Sequence, residues 1–187
     1  MIDRRHILAL LSSALASPAL AQTTAMSRPT AYAFSFSGLD GKPIRLVEHA
    51  GKPILVVNTA SQCGYTPQFA GLQELWQRYR ERGLLIVGVP SNDYGSQEPG
   101  DAAEILHTAH GEYGVSFPLA AKVDVKGEAA HPFYKWAALE RPGDQPRWNF
   151  HKYLVGRDGH VVAAFSTQIE PTDARVIAAI EKELRGN

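Results

Sequence analysis

The chain of 187 residues contains one cysteine, Cys63, which stands in the polar segment Ser61-Gln-Cys-Gly-Tyr-Thr66. A single cysteine can form no intramolecular disulfide, and it cannot build a zinc site from several thiolates. If the thiol does chemistry, any disulfide that it forms joins this chain to another molecule.

Cys63 follows a continuous apolar run, Ile54–Asn58, and precedes a segment with helical spacing that begins near Pro67. At such a strand-to-helix corner, oriented amides and the positive end of the helix dipole favour an anion. A thiol in this place ionises more readily, and a thiolate is a nucleophile at neutral pH. The alternative is that Cys63 is a small buried hydrophobic residue without chemistry.

The elements that position Cys63 are predicted to form a strand–helix–strand unit. Ile54–Asn58 and Leu84–Val89 are apolar runs typical of strands buried on both faces. Between them lies a helical pattern with Thr66 as the predicted N-cap, Pro67 as the first helical residue and Gly83 as the stop signal. Such a unit pairs its two strands in parallel through a right-handed crossover.

The rest of the chain also alternates between strand and helix patterns. In order, the predicted segments are a hairpin of Tyr32–Phe36 with Pro43–Leu46, a helix from Asp101 to about Tyr113, a helix over His131–Leu139, the strands Phe150–Val155 and His160–Phe165 around the turn Gly156–Gly159, and a helix over Pro171–Leu184. This order predicts an α/β fold whose central sheet has mixed strand directions.

Residues 1–21 have the pattern of a cleaved secretory signal. Arg4 and Arg5 precede ten apolar residues, Ile7–Ala16, which are too few to span a bilayer, and Ala19-Leu-Ala21 offers small residues at the cleavage site. We therefore expect an exported protein, periplasmic in a bacterium, with residues 22–187 as its single domain. The arginine pair is compatible with twin-arginine export. The alternative is an N-terminal helix that remains buried or interfacial.

Composition narrows the function classes. Hydrophobic residues make up 44% of the chain and charged residues 20%, which are globular proportions and exclude a disordered protein. Nineteen basic residues balance nineteen acidic ones, so we expect no basic surface that binds nucleic acid. No segment after residue 21 is long and apolar enough to insert stably into a membrane.

Two further patterns in the sequence could indicate ligand sites. His107 and His110 are spaced to share one helix face and could bind an ion, but spacing supplies no third ligand, and the ordinary interpretation is that they are exposed polar helix positions. The glycine-rich segment Tyr94–Gly100 lacks the lysine-serine ending of a phosphate-binding loop. We therefore predict no metal and no cofactor.

Several segments of the chain resemble those of the glutathione peroxidase family. Asn58-Thr-Ala-Ser-Gln-Cys-Gly-Tyr-Thr-Pro-Gln68 resembles the family's peroxidatic segment. The other matching segments, in the family's order, are Gly88–Gly100, Tyr113–Pro118, Lys122–Gly127, His131–Trp136 and Trp148–Val155. The resemblance implies a thioredoxin-like fold, in agreement with the predicted mixed sheet, flanking helices and N-terminal β-hairpin. It also implies the reduction of hydrogen peroxide and organic hydroperoxides by thiols.

The resemblance also implies roles for individual residues. The Cys63 thiolate attacks a peroxide oxygen and becomes a sulfenic acid, which one donor thiol converts to a mixed disulfide and a second thiol releases. Trp148 and Asn149 are implied as partners of the thiolate, because an indole N–H and an amide NH₂ can donate to sulfur and to the departing oxygen. Without the resemblance, Trp148 would be interpreted as a core aromatic residue and Asn149 as a turn residue.

Three positions depart from the family pattern. Asp93 stands where the family usually has Gln and is taken here as a fourth catalytic candidate, although an ionised carboxylate cannot donate to a thiolate and its charge opposes one. The alternatives are that Asp93 is protonated or points away, and Gln97 is assigned to a structural Gln-Glu-Pro turn. Ala109 aligns with the resolving cysteine of thioredoxin-dependent members, and the nucleophile is Cys rather than selenocysteine.

Two functions therefore remain open. The first is an exported thiol peroxidase, and the second is a catalytically weak thioredoxin-fold module that senses peroxide or binds a partner through Cys63. Asp93 and the missing resolving cysteine favour the second. The reductant is either glutathione, which is scarce in an oxidising compartment, or a thioredoxin-like protein. The short connection Arg141–Arg147 lacks the long insertion of tetrameric members, so we expect a monomer.

Overall fold

Strands and helices alternate along residues 28–186, which are the residues that the computed structural model describes. The strands are Ser35–Ser37 (β1), Pro43–Arg45 (β2), Ile54–Thr59 (β3), Leu85–Pro90 (β4), Lys152–Val155 (β5) and Val161–Phe165 (β6). The α-helices are Gln68–Tyr79 (α1), Ala102–Leu106 (α2), Pro132–Glu140 (α3) and Ala174–Arg185 (α4). The predicted signal segment, residues 1–21, lies outside the described residues.

The central sheet has the strand order β4-β3-β5-β6. β3 and β4 run parallel, while β5 pairs antiparallel with β3 and β6 pairs antiparallel with β5. β1 and β2 form a separate two-stranded antiparallel sheet. The predicted mixed sheet and N-terminal hairpin are therefore confirmed, although β1 begins only at Ser35 because Ala31–Ala33 forms a 3-10 turn.

Every residue of β3 and β4 is buried, because helices cover both faces of the sheet. On one face, Leu55 and Val57 pack in a cluster with residues of α1 and α4. On the other face, Ile54 and Val56 pack with residues of α3. This explains the apolar runs Ile54–Val57 and Leu85–Val89 in the sequence. No helix among the described residues is long and apolar enough to cross a membrane.

The predicted start of α1 is wrong in its capping residue. α1 begins at Gln68 with Pro67 at the N-cap, and no side chain caps it. The hydroxyl of Thr66 is used elsewhere: it accepts from the Cys63 backbone N–H at 3.0 Å and lies 2.7 Å from the Cys63 carbonyl. Thr66 therefore closes the turn that contains the thiol rather than the helix. The predicted stop at Gly83 is confirmed by its left-handed φ of 107°.

The helix predicted from Asp101 to about Tyr113 is present but changes type along its length. Asp101 and Glu104 form a capping box at its start. α2 then continues as a π-helix over His107–Glu112. Ala109, which the resemblance aligns with a resolving cysteine, is fully buried in this π-helix.

Candidate active site

Cys63 lies in the turn between β3 and α1 and is 7% exposed. The backbone N–H of Tyr65 donates to its Sγ at 3.4 Å. α1, with twelve residues, begins five positions after the cysteine. The sulfur thus meets a backbone donor beside a helix N-terminus, which is the environment that stabilises a thiolate.

The loop after β4 contacts the cysteine turn through Gln97. The backbone N–H of Gln62, the residue before Cys63, donates to the Gln97 carbonyl at 2.9 Å. The side-chain Oε1 of Gln97 accepts from Asn149 Nδ2 at 3.0 Å. Gln97 therefore joins the turn that carries the nucleophile to the segment that carries Asn149.

Asn149 is fully buried, and both its side-chain NH₂ and its backbone carbonyl form hydrogen bonds. Its Nδ2 also lies 3.2 Å from the Tyr94 carbonyl, and its own carbonyl accepts from Thr167 Oγ1 at 2.7 Å. These contacts fix the amide beside Gln97, so Asn149 does more than terminate a turn.

Trp148 is not a core residue, since its side chain is 37% exposed. Its ring lies on Tyr94, with centroids 6.0 Å apart. Gly95 makes this approach possible: with φ at +68°, it takes a conformation that other residues avoid, and a Cβ there would stand 3.2 Å from the indole. Trp148 and Asn149 are therefore both brought to the loop that contacts the cysteine turn.

The fourth sequence candidate, Asp93, is placed elsewhere. Its Oδ2 accepts from the backbone N–H groups of Val125 at 2.6 Å and Lys126 at 3.2 Å. Within residues 28–186, no hydrogen bond joins Asp93 to Cys63, Trp148 or Asn149. The carboxylate of Asp93 therefore bonds a neighbouring loop, as expected from the alternative that it points away, and its catalytic role stays a prediction.

Sequence reasoning did not anticipate the contacts of Gln97 with Asn149 and the cysteine turn, because it assigned Gln97 to a structural turn. The missing amide donor was sought at position 93, yet a glutamine stands four residues later in the same loop. The signal that could have found it is this glutamine itself, two residues after the Gly95 turn. Only the three-dimensional path of the loop shows that position 97, rather than 93, faces Asn149.

A cleft of about 620 Å³ opens beside Trp148. Tyr65, Arg147 and His151 are among its lining residues, together with residues that follow β6. Burial, and secondarily the charge of Lys152, lowers the pKa of His151 to about 4, so its imidazole is neutral at pH 7. The wall of the cleft thus includes the exposed indole and Tyr65, whose backbone N–H contacts the sulfur, but Cys63 itself is not among the lining residues.

Behind the site lies a buried lysine. The Nζ of Lys152 donates to Gln68 Oε1 and to the Ile169 carbonyl, and burial lowers the pKa of Lys152 to about 7. Gln68 in turn donates to the Thr167 carbonyl at 2.7 Å. These bonds connect β5, the first turn of α1 and the segment after β6, in which Thr167 contacts Asn149.

Among the described residues, no cluster of three or more His, Cys, Asp or Glu could hold a metal ion.

A family model described as glutathione peroxidase matches residues 31–138. The chain belongs to the glutathione peroxidase family. It is 44% identical over 170 residues to a hydroperoxy fatty acid reductase of Synechocystis sp., covering 86% of this chain and 99% of that protein. It is 43% identical to a glutathione peroxidase-like peroxiredoxin of Chlamydomonas reinhardtii, covering 85% and 99% of the two chains.

Solved structures agree with this membership. The crystal structure of a protein designated Trgpx, in apo form, superposes with a TM-score of 0.70 at 31% identity and covers 86% of this chain and 98% of that one. The thioredoxin-like fold and the thiol peroxidase activity expected from the sequence are therefore confirmed. A hydroperoxide is the substrate, and a thiol is the reductant.

Proposed function

We propose that the reaction runs at Cys63 with Gln97 and Trp148 as its hydrogen-bond donors and with Asn149 as the residue that orients Gln97. The observation that carries this proposal is the bond from Asn149 to Gln97 Oε1, taken with the backbone bond that joins Gln97 to the cysteine turn at Gln62. With Oε1 occupied, Nε2 is the end of Gln97 that remains to donate to the thiolate. The indole N–H of Trp148 stabilises the oxygen that departs, whereas both N–H groups of the Asn149 amide are given to Gln97 and to the Tyr94 carbonyl.

The chemistry balances in three steps. The Cys63 thiolate attacks one oxygen of ROOH, the O–O bond breaks, and the departing alkoxide takes a proton as Cys63 becomes a sulfenic acid. A first thiol attacks the sulfenic sulfur and releases water, which leaves a mixed disulfide. A second thiol attacks the donor's sulfur, so that the donor leaves as a disulfide and Cys63 as a thiolate.

The proposed substrates include long-chain organic hydroperoxides as well as hydrogen peroxide. The relative from Synechocystis is named for hydroperoxy fatty acids, and here an open cleft with an exposed indole at its wall suits a bulky, partly apolar peroxide. The proposed reductant is a thioredoxin-like dithiol protein, because Cys63 has no resolving partner and one dithiol supplies both thiols that each cycle consumes. Glutathione is the alternative.

We further propose that the protein is exported after cleavage near residue 22 and works as a monomer. The sequence of residues 1–21 supports export, and the short connection between α3 and β5 supports the monomer. The second candidate function, a catalytically weak sensor, is less favoured, because the Asp93 carboxylate is hydrogen-bonded to the Val125 and Lys126 amides rather than to the cysteine turn.

Steady-state turnover tests the proposal. Purified protein is given hydrogen peroxide or linoleic acid hydroperoxide, with either a thioredoxin-like protein and its recycling reductase or glutathione and glutathione reductase. We expect turnover with both peroxides and faster turnover with the dithiol protein. Cys63 that oxidises once and is then reduced by neither thiol would favour the sensor instead.

A further inference from the structure

Asn58 contacts the segment that carries Trp148 and Asn149 at three places. This fully buried residue of β3 donates from its backbone N–H to the His151 carbonyl at 3.3 Å and accepts from the Phe150 N–H at 2.6 Å. Its side-chain Nδ2 donates to the Trp148 carbonyl at 3.0 Å. The first two bonds continue the pairing of β3 with β5, whereas the third depends on the asparagine side chain alone.

These three bonds surround a strained residue. Phe150 has a φ of +62°, a left-handed conformation that is costly for a bulky side chain. Such a conformation persists only where the surroundings hold it. Here the Phe150 ring is buried with its edge against Phe69, at a centroid distance of 5.3 Å. Asn58 holds the backbone on either side of the same residue.

We propose that Asn58 is a positioning residue, which sets the place of Trp148 and Asn149 relative to Cys63. The inference rests on the proposed function, since it takes Trp148 as a donor to the reaction and Asn149 as the residue that orients Gln97. Asn58 lies on the strand that leads to the nucleophile, only five residues before it. Its side-chain amide bonds the backbone next to Phe150, in the segment that carries Trp148 and Asn149. One side chain thus connects both halves of the site.

No other side-chain type of this size makes the same contact. A leucine at position 58 has nearly the shape of asparagine but leaves the Trp148 carbonyl without the donor that Asn58 supplies. An aspartate sets a carboxylate oxygen against that carbonyl. Both changes remove the side-chain bond to the Trp148 carbonyl, while the two backbone bonds to Phe150 and His151 can remain.

The test compares Asn58→Leu and Asn58→Asp with Gln73→Leu as a matched control. Gln73 is also a buried amide with two hydrogen bonds, both to Ser116 and away from the site. Rapid mixing measures the oxidation of Cys63 by hydroperoxide at pH 7, and iodoacetamide measures alkylation at pH 10, where thiols are ionised. If Asn58→Leu does not fold, Asn58→Ser takes its place in the comparison.

We expect oxidation to slow by about tenfold or more in the Asn58 variants, since small displacements of positioned groups are costly. Alkylation at pH 10, which needs no donor to a departing oxygen, should change by less than about twofold. Gln73→Leu should lose comparable stability with an unchanged oxidation rate. Wild-type oxidation rates in the Asn58 variants, or equal slowing in Gln73→Leu, would overturn the proposal.

A second measurement separates this proposal from the proposed function. The indole N–H resonance of Trp148, assigned with Trp148→Phe, is recorded in ¹⁵N-labelled protein. Its chemical shift should change in the Asn58 variants and should be unchanged in Gln73→Leu. If wild-type Cys63 failed to react with hydroperoxides, the proposed function would fall, while this resonance would still decide whether Asn58 positions Trp148.

Discussion

The side-chain amide of Asn149 donates to Oε1 of Gln97 at 3.0 Å, across a sequence separation of 52 residues. This bond orients both amides at once. Because Asn149 takes the acceptor end of Gln97, the proposed mechanism assigns the donor end, Nε2, to the sulfur. In that mechanism Gln97 supplies the amide donor that position 93 lacks.

Replacing Gln97 should therefore impair the first step of the reaction. Gln97→Leu removes the donor and leaves the Asn149 amide without its acceptor, so we expect Cys63 oxidation by hydroperoxide to slow by about 10²-fold. Rapid-mixing kinetics at pH 7 measure the rate. An unchanged rate would show that Gln97 holds the loop together without acting on the thiol.

Asp93 should affect stability rather than rate. Asp93→Asn keeps an acceptor for the Val125 and Lys126 amides but removes the charge that strengthens these bonds, so we expect a loss of about 1–2 kcal/mol in the free energy of unfolding. Cys63 oxidation should stay within about twofold of wild type, because the carboxylate is bonded away from the thiol. A markedly faster oxidation would mean that the charge does reach the sulfur.

Cys63→Ser tests the nucleophile itself. The hydroxyl is nearly isosteric with the thiol and can still accept the Tyr65 N–H, so the fold should survive, but a serine in this site forms no sulfenic acid. We expect peroxidase turnover to disappear while circular dichroism and the melting temperature remain close to wild type. Undiminished turnover in this variant would refute the mechanism.

His151 should make the protein sensitive to acid. Burial lowers its pKa to about 4, whereas an imidazole in the unfolded chain titrates near ~6.5. As the pH falls, the unfolded chain takes up the proton first, so this group's contribution to stability is complete above about pH 6.5 and is lost between about pH 6.5 and 4. By pH 5 the loss amounts to about 2 kcal/mol.

Urea unfolding at pH 7.5 and pH 5 measures this loss. His151→Gln should lower stability at pH 7.5 by its altered packing but should lose less stability than wild type between the two pH values. The exposed His110→Gln is the control and should lose as much as wild type. An identical loss in all three proteins would assign the acid sensitivity to other groups.

Much of the fold follows from the sequence, and the reasons are local. Ile54–Val57 of β3 and Leu85–Val89 of β4 are apolar runs, Gly83 supplies the left-handed end of the first helical segment, and Asp101 caps α2 with Glu104. Two polar residues are harder to place from the sequence. Thr66 and Asp93 are polar residues with several available partners, and whether each bonds its own neighbours or a distant loop is decided by tertiary packing.

The same reason separates Gln97 from the other site residues. Cys63 is identified because it is the single cysteine of the chain. Trp148 and Asn149 are identified because the segment Trp148–Val155 resembles one of the family. The role of Gln97 depends on the path of the loop after β4, on Gly95 at φ +68° and on an acceptor contact with Asn149. None of these contacts leaves a periodic pattern in the sequence.

The N-terminal segment gives a prediction about processing. Its ten-residue apolar run and Ala-Leu-Ala site predict cleavage near Gln22. N-terminal sequencing of the protein from fractionated cells should therefore find a chain that starts near this residue outside the cytoplasm. Arg4→Lys with Arg5→Lys tests the twin-arginine route, because accumulation of precursor would follow if that route is used. A cytoplasmic chain that starts at Met1 would contradict export.

Gly95 offers the sharpest test of whether the position of Trp148 matters for the reaction. With φ at +68°, an alanine there is strained, and its Cβ would stand 3.2 Å from the indole and 3.3 Å from Cγ of Gln97. Gly41 has a similar φ of +79° in the turn between β1 and β2, but a Cβ there would meet no atom within 4 Å. The two glycines thus share a backbone penalty and differ in what the new methyl group touches.

Gly95→Ala and Gly41→Ala should therefore each cost about 1–2 kcal/mol of stability, as expected for alanine in the left-handed region. Only Gly95→Ala should also slow Cys63 oxidation, by about tenfold or more, because its methyl group pushes both Trp148 and Gln97 from their places. Urea unfolding and rapid-mixing oxidation on the same preparations give the two quantities. If the two variants lost stability equally and oxidised at the same rate, the placement of Trp148 against Tyr94 would be a matter of packing, and its role as a donor would have to be abandoned.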